Sequence, residues 1–147
     1  MNMGVKMEKI CWKEQYSVGI EKIDHQHQHL FEIINKLIER PVSSDDSALV
    51  SDILTEMINY AREHFTTEET LMQQYDYPQI GPHKKEHDYF IDTTAELAIG
   101  FMDNKDTTGD EMTEFLILWL TNHILKSDMK FKPFFESKIS TVAKSRI

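Results

Sequence analysis

The 147-residue chain carries a formal net charge of −9, with 40% hydrophobic and 28% charged residues. That composition suits one globular domain, 1–147, with room for a sizeable core, and the acidity argues against nucleic acid or an anionic membrane as partner. The single cysteine, Cys11, rules out an intrachain disulfide and reads as a small buried hydrophobe; the longest apolar run, Phe115–Leu120, is too short to span a bilayer, and the N-terminal stretch lacks a signal-like run, so the expectation is a soluble cytoplasmic protein without membrane insertion.

Residues 1–19 read as an extended arm whose Trp12, Tyr16 and Val18 are available to pack on the helical segments. The first periodic segment runs from about Ile20 to Glu39 and stops at Pro41. Its apolar residues Ile20, Ile23, Leu30, Ile34 and Leu37 recur in steps of three and four, the seam of a packed helix, and His27 holds the one seam position that is not aliphatic. At about 100° per residue, His25 and His29 lie about 200° around from His27. The alternating histidines of IDHQHQHLF therefore divide: one faces the core and two face water.

The second segment, about Ser47 to Tyr75, comes after the candidate caps Ser43, Ser44 and Asp45 and has a seam through Ile53, Met57, Tyr60, His64, Glu68 and Leu71. The third starts near Gly81-Pro82, proline being tolerated in a first turn, and continues to about Asp103; His83 and His87 share its face with Phe90, Thr94 and Leu97. The fourth begins after Thr108-Gly109 and runs to about Lys126, with Met112, Leu116, Trp119 and His123 inward. A basic segment with Pro133 closes the chain. The expected fold is all-α: an up-down four-helix bundle (20–126) with an extended N-terminal arm and a short C-terminal helix (127–147).

Every helix thus places imidazole on its inner face. Buried imidazole and carboxylate are costly unless paired or metal-bound, and one glutamate cannot satisfy five inward histidines, whereas a shared metal site can. Side chains four apart lie one turn apart on one face, so each pair reaches the same place. Imidazole with carboxylate suits iron, zinc, copper or nickel, and five histidines exceed the needs of one catalytic zinc, so two metals are implied. The Glu-x-x-His spacing of bundle di-iron oxidases is missing: Glu68 is followed at that spacing by Leu71 and Glu86 by Tyr89.

From Trp12 to about Phe135 the chain resembles the hemerythrin family, most closely its single-domain bacterial form, bacteriohemerythrin. The likeness rests on W-x(3)-Y-S-V-G-I-x-x-I-D-x-Q-H-x-x-L ending in His27 and Leu30, on HFTTEETLM from His64, on the Tyr77-Pro78 break, on His83-x(3)-His87, and on Trp119-x(3)-His123-x(4)-Asp128. The resemblance implies two irons per chain with an oxo or hydroxo bridge. One is held by His83, His87 and His123, the other by His27 and His64, and Glu68 and Asp128 bridge both. Asp128, five residues after His123, would sit about 140° away in a straight helix, so it can join the site only if the helix ends or bends after Lys126.

In that scheme one coordination position stays open, on the iron with two histidines, where the family binds dioxygen. Phe65, Trp119, Leu120 and Ile124 match the family's oxygen-pocket lining, and they also suit ordinary core packing. The resemblance implies an oxygen carrier, buffer or supplier rather than an enzyme, because neutral imidazoles support high-valent iron less than carboxylates do and no separate acid or base is placed for turnover. The alternatives are an oxygen, redox or nitric-oxide sensing module acting through a separate protein partner, which the sequence does not identify, or a di-iron peroxidase-like enzyme. The bundle uses almost all of the chain, which favours the stand-alone binder.

Overall fold

The four periodic segments form helices α1 (Glu21–Glu39), α2 (Ser47–Gln74), α3 (Ile80–Met102) and α4 (Thr108–Trp119) in a computed structural model that describes residues 8–39, 47–103 and 108–145. Each helix packs on its neighbour in sequence, and α4 closes the ring on α1. There is no strand among the described residues. Pro41 and the cap candidates Ser43, Ser44 and Asp45 lie outside them.

The seams face inward as their spacing requires. Leu30, Ile34, Leu37, Ile53, Met57, Tyr60, Phe90, Leu97, Met112, Leu116 and Trp119 are buried in one cluster. A smaller cluster joins Val18, Ile23, Met72, Tyr77, Phe131 and Phe135 at the other end of the bundle. The inward histidines fall between the two. On α1, Ile23 belongs to one cluster, Leu30 to the other, and His27 stands between them; on α2, Glu68 separates Phe65 from Met72 in the same way. A polar layer is thus closed above and below by apolar side chains, which keeps water out and raises the cost of any unpaired charge.

Local chemistry sets the ends. At the end of α2, Asp76 adopts φ 54° and the Tyr77 amide bonds back to the Met72 carbonyl at 2.8 Å, a left-handed C-terminal closure that aspartate tolerates better than most residues. Pro82 is the third residue of α3, within the first turn, where its missing N–H has no helical partner to lose.

Over the part described the arm packs on the bundle as its pattern suggests, although Glu14–Tyr16 form a 3-10 turn and not extended chain. The Ile10 backbone exchanges two hydrogen bonds with the Asn35 side chain, both at 2.8 Å, and Trp12 and Tyr16 set their rings against Phe31 at 5.6 and 5.9 Å. Cys11 is exposed, contrary to the buried hydrophobe expected. Its neighbours Ile10 and Trp12 pack on the bundle, so the alternation of extended chain turns Cys11 outward.

Past α4 the helix does not end after Lys126. It widens into a π-helical segment, Leu120–Asp128, and continues as α5 (Met129–Ser145), which contains Pro133. Phe131 and Phe135 anchor α5 in the smaller cluster.

Candidate metal centre

Seven side chains meet in the polar layer: His27 from α1, His64 and Glu68 from α2, His83 and His87 from α3, and His123 and Asp128 from the π segment. All are buried, with His83 the most accessible at 3%. Asp128 arrives by a route that helical spacing did not foresee. A π-helix bonds i to i+5, so residues five apart stack on one face as residues four apart do in an α-helix. The widened segment therefore brings Asp128 beneath His123 without ending the helix, and their Nε2 and Oδ1 atoms are 3.1 Å apart.

The two carboxylates are split between two sets of imidazoles. Asp128 directs Oδ2 at His27 Nε2 (2.8 Å) and Oδ1 at His83 Nε2 (2.9 Å). Glu68 sets Oε1 against His64 and Oε2 against His83 Nε2 at 2.7 Å and His87 Nε2 at 3.5 Å. Two donor groups result, His27, His64, Glu68 and Asp128 on one side and Glu68, His83, His87 and His123 on the other, with the donor atoms of each group within 4.8 Å of one another. Glu68 belongs to both groups, and Asp128 reaches His83 and His123 of the second through its other oxygen.

The chain alone does not satisfy this cluster. Glu68 Oε1, His87 Nε2, His123 Nε2 and both Asp128 oxygens are buried without a hydrogen-bond partner, even though imidazole nitrogens lie 2.8–3.1 Å from the Asp128 oxygens and His87 Nε2 lies 3.5 Å from Glu68 Oε2. The contacts are close but badly aligned for N–H donation, whereas cations between the donors need no such alignment. The titration behaviour agrees. Burial pulls His27 down, yet the nearby oxygens and negative charge of Asp128 and Glu68 outweigh it and leave it at about 9. His123 stands at about 9 and His83 at about 10, with the same two carboxylates opposing desolvation. Burial pushes Glu68 up, and the charge of His64 with the close approach of His27, His64 and His83 holds it well below the usual range. Asp128 is likewise held low by His123 and His27 against burial and the charge of Glu68. Protons here offset the two negative charges, a role metal cations would take over, and the nitrogen-rich, thiolate-free donor set fits iron.

Outer partners orient the rings, and the seam pattern did not point to them. His64 Nδ1–H donates to Gln26 Oε1 at 2.8 Å, and the Gln26 amide donates to Thr67 Oγ1 at 3.1 Å. His87 Nδ1–H donates to Glu69 Oε2 at 2.8 Å. Glu86 Oε1 lies 3.4 Å from His123 Nδ1 and accepts a hydrogen bond from Ser127 Oγ at 2.8 Å. Each such contact fixes which ring nitrogen faces inward and raises its basicity. Gln26, Glu69 and Glu86 each stand next to an inward residue in sequence, the one signal that could have found them.

Aromatic faces complete the walls. Phe65 stacks on His87 at 3.9 Å and Trp119 on His123 at 4.0 Å. Tyr60 stacks on His64 at 5.1 Å, and its hydroxyl accepts the Trp119 indole N–H at 3.3 Å. Burial drives the Tyr60 pKa up, so it remains a neutral phenol. Leu120 and Ile124 are buried in the same cluster as Phe65 and Trp119, on the apolar side of the layer.

Residues 18–135 match the family model described as hemerythrin HHE cation binding domain. The chain is similar to Bacteriohemerythrin of Clostridium acetobutylicum, with 36% identity over 124 residues covering 82% of this chain and 96% of that one. It is 31% identical over 140 residues to Bacteriohemerythrin of Pseudomonas aeruginosa, covering 95% and 90%. Among solved structures it resembles wild-type hemerythrin (TM-score 0.68, 31% identity, 86% of this chain and 97% of that one) and a leucine-to-phenylalanine variant (TM-score 0.69, 30% identity, 88% and 98%).

Proposed function

We propose, because the chain belongs to the hemerythrin family, that it is a reversible dioxygen-binding protein whose whole length serves one di-iron domain. The observation that carries this reading is the split of each carboxylate between a three-histidine group and a two-histidine group. His83, His87 and His123 would hold one iron, His27 and His64 the other, and Glu68 and Asp128 would bridge them. An iron pair so held would supply the two electrons needed to bind dioxygen reversibly.

The chain's own residues supply the remaining conditions. Gln26, Glu69 and Glu86 hold the imidazoles with Nε2 inward. Phe65, Trp119, Leu120 and Ile124 keep water from the layer, and Tyr60 and Trp119 tie α2 to α4 across it. Dry apolar walls disfavour charge separation and proton delivery, and so favour release of oxygen as the neutral molecule over loss of a reduced species. A cytoplasmic location is part of this reading, supported by the single cysteine; among the described residues no helix is long and apolar enough to cross a membrane.

The experiment is oxygen cycling. The anaerobically reduced, iron-loaded protein should gain a visible absorption band at one dioxygen per chain and lose it when oxygen is removed, over repeated cycles. Irreversible oxidation with no oxygenated species would overturn the carrier reading, and steady consumption of oxygen or peroxide with a co-substrate would mark an enzyme.

A further inference from the structure

The two histidines that the buried centre leaves aside stand on the opposite side of α1. His25 and His29 are exposed, four residues apart, with Glu21 one further turn before them. Side chains at this spacing lie one above the other, with Cβ atoms about 5–6 Å apart, close enough for two imidazoles to hold one ion. His25 Nε2 is 4.0 Å from Glu21 Oε1, and His29 Nδ1 is 3.4 Å from Glu32 Oε2. The ladder forms one wall of a surface groove of about 620 Å³ whose other wall is α2, with Tyr60 and Glu63 on it; Lys22 and Gln26 complete the lining. Gln26 is fixed by its bonds to His64 and Thr67, so the floor between the histidines is rigid.

We propose that this groove is a second, surface site for a divalent ion of the zinc, nickel or copper class, separate from the buried centre. His25 and His29 are the imidazole ligands, with carboxylate from Glu21 and from Glu63 across the groove. Two imidazoles one turn apart select borderline metals over magnesium or calcium, which prefer all-oxygen sites. Lys22 opposes a cation, but Glu21 and Glu63 outweigh its charge in the same groove. The second imidazole binds intramolecularly once the first has captured the ion, which makes the pair about a hundredfold tighter than either alone.

The test is a calorimetric titration of the iron-loaded protein with zinc chloride in excess magnesium, which occupies merely acidic sites, with iron content measured before and after. One zinc ion should bind per chain with no loss of iron. His25→Gln and His29→Gln should each weaken binding by about a hundredfold, and the double variant, with no imidazole left, should bind more weakly still. Both positions are exposed, so the variants keep the fold. Zinc affinity unchanged in the double variant, or zinc uptake matched by iron release, would overturn the proposal.

Discussion

Replacing Asp128 with asparagine tests the bridging geometry with little change in volume. The amide keeps one oxygen but turns the other position into an N–H donor, which then faces imidazole nitrogens that have no use for it. Asp128 touches three imidazoles, at 2.8 Å (His27), 2.9 Å (His83) and 3.1 Å (His123). His27 rises from 6.5 to about 9 despite full burial, so Asp128 and Glu68 together favour its proton by at least ~3 kcal/mol, at about 1.4 kcal/mol per unit. Asp128 contributes more of that than Glu68 does, and it also raises His123, so His27 and His123 should each titrate lower in metal-free Asp128→Asn. With iron loaded, the variant should lose metal faster to a chelator and show weaker magnetic coupling, because one of the two proposed carboxylate bridges would be gone. The assays are histidine NMR titration of the metal-free chain, iron analysis after chelation, and magnetic susceptibility. Unchanged histidine titrations together with unchanged coupling would refute the assignment of Asp128 to both groups.

The same geometry sets four further outcomes. His27→Ala should lose iron from the two-histidine side, whereas His25→Ala and His29→Ala should retain both irons and their spectrum; equal loss in all three, measured by metal analysis, would contradict the inward register of α1. Leu120→Ala opens the apolar wall one turn before His123 and should oxidise faster at full iron occupancy, with about 2–5 kcal/mol of stability lost to the cavity; an unaltered autoxidation rate would remove Leu120 from the barrier. Iron binding should release protons at pH 7, because the metal-free chain holds His27 and His123 at about 9 and His83 at about 10, and retention should strengthen as pH rises toward those values. The sign reverses for metal-free stability: raised histidines stabilise fully below their unfolded value near 6.5 and lose that contribution through pH 9–10, while the lowered carboxylates lose theirs as acid protonates them. A melting temperature of the metal-free chain that does not fall between pH 7 and pH 10 would count against these shifts.

The sequence alone determined the bundle and most of its interior, because helical period converts directly into facing. A three-and-four seam interrupted by His27, by His64 and Glu68, by His83 and His87, and by His123 can only bring these groups together if four helices bury their seams against one another, and they do. The separation of His27 from His25 and His29 came from angle alone. What period cannot express is a change of period. Asp128 sits five residues after His123, a spacing that fails in an α-helix and succeeds in the π segment, and the apolar period of the sequence carries no mark of that widening. The outer hydrogen bonds were equally hidden. Gln26 meets His64, and Glu69 meets His87, across helix interfaces, where rotamer and axial offset decide the partner. Tertiary packing also decided which oxygen of each carboxylate serves which imidazoles, since two atoms of one side chain share a single position in the sequence.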